Sequence, residues 1–126
     1  MTRTALELSP EEWRAYRPSQ RQSAAPDPQA RLRRQAAWRV ARRAAQMLRQ
    51  EFGAQRVVVF GSLSQRGWFM PWSDIDLAAW GIPDECFYGA VAAVTAWSAR
   101  FKVDLIDPAM CRPALRQAIE REGIEL

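Results

Sequence analysis

Histidine does not occur anywhere in the 126 residues. Its absence removes Ser-His-Asp and Cys-His nucleophile systems, His-ligated zinc and imidazole acid-base catalysis from anything this chain does alone. Carboxylates and metal ions remain as chemical tools. Cysteine is scarce as well: Cys86 and Cys111 are the two, too few for a disulfide framework and expected to be small buried hydrophobes. No apolar run approaches the length of a membrane span, and the opening "MTRTALELSPEEW" lacks the apolar region of a secretory signal. A reducing cytoplasm is the expected home, with no membrane contact. No internal repeat or low-complexity tract interrupts the chain.

What is present has the balance of a globular domain, with 48% hydrophobic and 25% charged residues. A chain of this length makes one domain with a real core, and it must borrow or bind whatever it acts on. The net charge of +4 is unevenly spread. Residues 1–56 hold twelve arginines against five acids, whereas residues 57–126 hold six basic side chains against nine acids. The commonest use of a basic helical face is contact with water. No aromatic-interleaved or groove-reading pattern accompanies these arginines, so nucleic acid is not an expected partner.

Ser9-Pro10-Glu11-Glu12 reads as the start of a short helix, with Ser9 as N-cap, Pro10 at the first helical position and Glu12 closing a capping box. Residues 18–28, "PSQRQSAAPDP", carry three prolines and read as a linker. Residues 1–29 are therefore expected to form an extension, and residues 30–126 the domain proper. From Ala30 to Phe52, Ala37, Val40, Ala41, Ala44, Leu48 and Phe52 recur at helical spacing, with Arg39, Arg42, Arg43 and Arg49 largely on the other side. Gly53 is the stop, and Val57 to Phe60 is a β-branched run suited to a buried strand. Ser73 to Trp80 predicts a second strand, Pro83 to Phe101 a helix, Lys102 to Asp107 a third strand, and Pro113 to Glu122 a last helix before Gly123. That order implies an α+β domain, a small mixed sheet with helices packed against it.

Alternation along a strand sends Asp74 and Asp76 to one side and Ile75 and Leu77 to the other. Two adjacent carboxylates repel, and one takes up a proton unless a cation lies beside them. An Asp-x-Asp pair alone also fits a solvated sheet edge. Gly-Ser upstream and a further Asp downstream favour a metal site instead. An all-oxygen donor set favours Mg²⁺ or Mn²⁺, which sits on one or two carboxylates plus phosphate oxygens and water. Gly61 allows a sharp turn and close approach to a ligand, Ser62 and the N–H groups after it can donate to phosphate oxygens, and Arg66 can add charge-assisted hydrogen bonds. "KVDLID" offers a third carboxylate for a two-metal site. Asp104 is the better candidate, since Asp107 precedes Pro108 and can cap the next turn. The loop "WFMPW", residues 68–72, either folds Trp68 and Trp72 back onto the core or presents them to a partner or a base.

The segments "FGSLSQRG", "WSDIDLA", "VDLID" and "AIEREGIEL" together resemble the minimal nucleotidyltransferases of the DNA polymerase beta superfamily, in particular the MntA-like antitoxins of HEPN/MNT toxin–antitoxin pairs. The likeness covers about residues 35–126. It implies a polymerase-beta-like nucleotidyltransferase fold, with Gly61 and Ser62 on the nucleotide triphosphate, Asp74 and Asp76 on two Mg²⁺ ions, and Asp104 on one of them while it helps deprotonate the attacking hydroxyl. The implied reaction transfers AMP from ATP to a tyrosine of a partner HEPN ribonuclease toxin, and the resemblance allows a hetero-oligomer with that toxin. Two features depart from the family pattern: eleven residues rather than ten separate Ser62 from Asp74, and Arg66 falls one place later than the arginine of Gly-Ser-x-x-Arg-Gly. A non-catalytic toxin-binding antitoxin is a second reading. A small-molecule nucleotidyltransferase of the aminoglycoside-modifying kind is a third, although that kind usually carries an added helical domain.

Overall fold

The computed structural model describes residues 28–65 and 69–126. The helix start at Ser9, Arg66 and Trp68 lie outside the described residues, as does the 18–28 linker except for Pro28. The described elements run α1 (Pro28–Phe52), β1 (Arg56–Phe60), a 3-10 turn (Gly61–Ser64), β2 (Ile75–Trp80), α2 (Asp84–Thr95), β3 (Val103–Ile106), α3 (Pro113–Glu122) and β4 (Ile124–Glu125). No described helix is long and apolar enough to cross a membrane.

The four strands form one mixed sheet in the order β3-β2-β1-β4. β1 pairs antiparallel with β2 and with β4, and β2 pairs parallel with β3 through the α2 crossover. The expected α+β class, with helices against a small mixed sheet, is the one observed. Strand alternation divides the side chains between two faces. Val57, Val59, Ile75, Leu77, Val103 and Leu105 point into the main core beneath α1 and α2, whereas Val58 and Ala78 point to the other face and meet Ile119 of α3.

α1 reaches the sheet through small residues. Ala37, Ala41 and Ala44 are fully buried and Leu48 fills the end of the row, a helical stripe whose short side chains let the helix axis come close to the strands. Phe69 also enters this core and tilts against Phe101 at 5.8 Å. Trp72 of the same loop stays 51% exposed. The described part of the loop is thus divided, Phe69 in and Trp72 out.

Several elements differ from those the sequence suggests: α1 takes in Pro28, β1 begins at Arg56, and β3 is Val103–Ile106 rather than Lys102–Asp107. α2 ends at Thr95 rather than Phe101, because Ser98 turns the chain: its Oγ accepts the N–H groups of Arg100 and Phe101 at 3.1 Å each, a local alternative to helix. β2 starts at Ile75 rather than Ser73, which is held in a turn with Met70. β4 was not anticipated; two residues carry no periodicity, and its existence depends on β1 offering a free edge. Cys86 and Cys111 are unpaired and half-buried rather than buried, and Cys111 Sγ lies 3.3 Å from the Pro108 carbonyl.

Gly123 is the joint between α3 and β4. Its N–H donates to the Ile119 carbonyl at 2.9 Å, and a Cβ at this position would run into Val58 Cγ1 and that carbonyl. Gly123→Ala is expected to lift α3 off β1 and to lower stability by about 1–3 kcal/mol; an unchanged urea midpoint would show that the joint yields freely.

Candidate active site

The second face of the sheet carries the acidic residues. Asp76 lies opposite Phe60 across the antiparallel pair and opposite Asp104 across the parallel pair. Asp74 precedes β2 on the same alternation. The Ile75 N–H donates to the Lys102 carbonyl at 2.9 Å, so the starts of β2 and β3 are tied together and Asp74 comes within hydrogen-bonding reach of Asp104.

The turn before Asp74 is set by Ser73. Its Oγ accepts the Met70 N–H at 2.9 Å, and its own N–H returns to the Met70 carbonyl at 3.0 Å, a closed loop that delivers the chain to the sheet at a fixed residue.

Gly61 stands against this acidic face. Its φ is +72°, and a Cβ built on it would be 2.6 Å from Asp76 Oδ2. Glycine is required twice over, by the left-handed backbone and by the carboxylate beside it. Gly61 and Ser62 open the 3-10 turn, which is closed by Ser64 Oγ donating to the Gly61 carbonyl at 2.7 Å. Arg34 clamps the turn from α1, with Nη1 2.8 Å from the Gln65 carbonyl and Nη2 3.0 Å from that of Leu63.

The crowding has an electrostatic consequence. Burial pushes the Asp76 carboxyl up to about 7; the charges of Asp104 and then Asp74 add to the rise, and Lys102 opposes it. Asp74 is also raised, by burial first and then by Asp104, again against Lys102. Both shifts follow from like charges meeting in a partly desolvated place. Lys102 Nζ lies 3.9 Å from Asp104 Oδ1, a contact that competes for the carboxylate.

Of the sequence-derived candidates, Gly61, Asp74, Asp76 and Asp104 are brought together, and Ser62 stands next to them in the turn. Asp107 does not join them; its Oδ1 accepts the Ala109 N–H at 3.0 Å and caps the following turn. Lys102 and Arg34 escaped the sequence reading as parts of the site. Lys102 had a legible signal, since it sits two residues from Asp104 and so on its face of the strand. Arg34 had none, because its partners are backbone carbonyls about thirty residues away.

Among the described residues, no three acidic or cysteine side chains stand close enough to hold a metal ion on their own. Mg²⁺ does not demand three, because one or two carboxylates and the oxygens of a bound phosphate complete its shell. The donor chemistry of Asp74 and Asp76 beside the Gly61 turn fits that mode of binding.

No family model and no curated protein matches the chain. Solved structures do match. A toxin-antitoxin with AMP-PNP is 22% identical, aligned over 68% of this chain and 70% of that one with a TM-score of 0.55. The toxin-antitoxin MntA-HepT is 18% identical over 70% and 69% of the two chains, with a TM-score of 0.51. A structure provisionally described as a minimal nucleotidyltransferase is 29% identical over 82% of this chain and 99% of its own, at a TM-score of 0.47. The first two establish a shared fold.

The Asp76 carboxyl has an ordinary value of 3.8 and is raised to about 7 in the fold. A raised acid favours the fold while it is protonated, so its contribution is full below about pH 4 and is lost as pH rises through 7, at about 1.4 kcal/mol per pH unit across that window. In chelator-treated protein Asp76→Asn is expected to flatten this decline. Thermal unfolding of wild type and variant between about pH 4 and pH 8 is the measurement, and parallel curves would assign the effect elsewhere. Gly61→Ala is expected to lose about 1–2 kcal/mol and to displace the Asp76 carboxyl; a chemical melt at wild-type stability would contradict the close approach.

Proposed function

We propose that the chain is a nucleotidyltransferase antitoxin of the MntA-like kind, which transfers AMP from ATP to a tyrosine of a partner HEPN ribonuclease toxin and so neutralises it. The observation that carries this reading is the pairing of Asp76 with Asp104 across β2 and β3, with Gly61 pressed against Asp76. The fold shared with MntA-HepT and with a toxin-antitoxin that holds AMP-PNP supports the same direction.

In this reading Gly61 lets the backbone approach the polyphosphate, and Ser62 donates to its oxygens. Arg34 keeps the turn in place through the Leu63 and Gln65 carbonyls. Arg66 is assigned to the triphosphate from the motif alone. Asp74 and Asp76 would hold two Mg²⁺ ions with Asp104 as an additional ligand; bound there, the ions would neutralise charge on the phosphates. Asp104 accepts the proton of the acceptor hydroxyl as that oxygen bonds to the α-phosphorus, and the bond from the α-phosphorus to the bridging oxygen breaks to release pyrophosphate. Lys102 favours the ionised state of the neighbouring carboxylates, which is the state that binds cations and accepts protons.

Incubated with radiolabelled Mg-ATP and its toxin, the wild-type chain is expected to add AMP to a toxin tyrosine. Asp74→Ala with Asp76→Ala should remove about 4 kcal/mol of barrier lowering, roughly a thousandfold in rate. In a second readout, Mg²⁺ should raise the melting temperature of the wild type at about pH 8, above the value of about 7 to which Asp76 is raised, and leave the double variant unmoved. Labelling that survives the double substitution would sink the enzymatic reading. Protection of cells by an inactive double variant would instead select the non-catalytic binding antitoxin.

A further inference from the structure

α1 carries a second feature on the side of the sheet away from the carboxylates. Its outer face carries Arg31, Gln35, Arg39, Arg42, Arg43 and Gln46, all exposed, with Leu32 exposed beside them, and the helix contains no acid before Glu51. At its middle, Arg39 and Arg43 flank a groove of about 310 Å³ whose floor includes Ala36, Val40 and Phe101 and whose far side is Ser98 and Arg100. Arg39 and Arg43 are one helical turn apart and point to the same side. Arg100 comes from the turn that ends at β3, and its guanidinium rests 5.0 Å over the Phe101 ring. Among the described residues none of these three arginines forms an ion pair.

Three unpaired guanidinium groups around one hollow repel one another, and an anion between them removes that repulsion. We propose that this groove seats a backbone phosphate of a single-stranded nucleic acid, with the arginine and glutamine face of α1 carrying the neighbouring phosphates and sugars. Several observations favour a nucleic-acid strand over an acidic protein. The basic residues are arginines without exception from residue 28 to residue 56, and the planar guanidinium fork matches phosphate oxygens in pairs. Trp97, next to Ser98 in the chain, is 39% exposed, and an exposed indole offers a base a stacking surface. The 25-residue helix is about 37 Å long, enough to follow several nucleotides. In the sequence the arginines could be read only as a wet face, because the third arginine of the groove arrives from a turn some sixty residues later.

Fluorescence anisotropy with a labelled single-stranded RNA of about 20 nucleotides, a length that covers one to several sites of this kind, tests the proposal on the full chain. Binding is expected at about 50 mM salt and should weaken steeply by about 200 mM. Arg39→Glu with Arg43→Glu should weaken it at least about tenfold and reduce the salt slope by about 1.4, the value for two phosphate contacts on a single strand. Arg39→Gln with Arg43→Gln should act in the same direction, and Arg121→Glu on α3 should not. Asp74→Ala with Asp76→Ala should bind RNA as the wild type does, which separates this inference from the proposed transfer reaction. The proposal is overturned if the wild type fails to bind at low salt, if Arg121→Glu costs as much as the groove variants, or if a polyglutamate peptide of equal charge displaces the RNA.

Discussion

Side chains on a strand repeat every two residues, so the candidate site depends on a register that cannot slip. With Asp76 opposite Asp104 and Phe60, the next residues along the two strands, Leu77 and Leu105, point into the main core. A shift of one residue would bury the carboxylates and expose the leucines. The core therefore holds the acidic cluster in place: burial of Val57, Val59, Ile75, Leu77, Val103 and Leu105 on one face obliges Asp76 and Asp104 to meet on the other.

The cluster is electrostatically crowded. Asp74 and Asp76 are both raised by burial and by neighbouring like charge, and Lys102 only partly offsets this. Such conflict is tolerated because the surroundings are fixed: the Ser73 turn upstream, the β3 pairing on one side and the Arg34 clamp on the 3-10 turn. Groups with values displaced toward neutrality are suited to handling cations and protons. The same property makes the cluster a stability liability that grows with pH in the absence of a cation.

The candidate site and the arginine-rich surface of α1 lie on opposite faces of the sheet. Apart from Arg34, which clamps the 3-10 turn, the exposed arginines of α1 face outward. The small residues of α1 serve both arrangements, since Ala37, Ala41 and Ala44 leave the inner side thin and the outer side to arginine. On that outer side Arg39 and Arg43 meet Arg100, which is positioned by the Ser98 turn that ends the α2 crossover early.

Much of this was legible in the residues taken one after another. Asp74 and Asp76 declared themselves by spacing, Gly61 by its place after a β-branched run, and the last helix by Pro113 and Gly123 at its ends. Those features are local, and local periodicity reports which face a side chain takes. The pairing of Asp76 with Asp104, the clamp of Arg34 on the Leu63 and Gln65 carbonyls, the edge strand β4 and the convergence of Arg100 on Arg39 and Arg43 join positions far apart in the chain. Nothing in a neighbouring residue encodes such a contact. It is settled when strands choose their partners and helices their side of the sheet, and that choice is made by burying the whole apolar face at once.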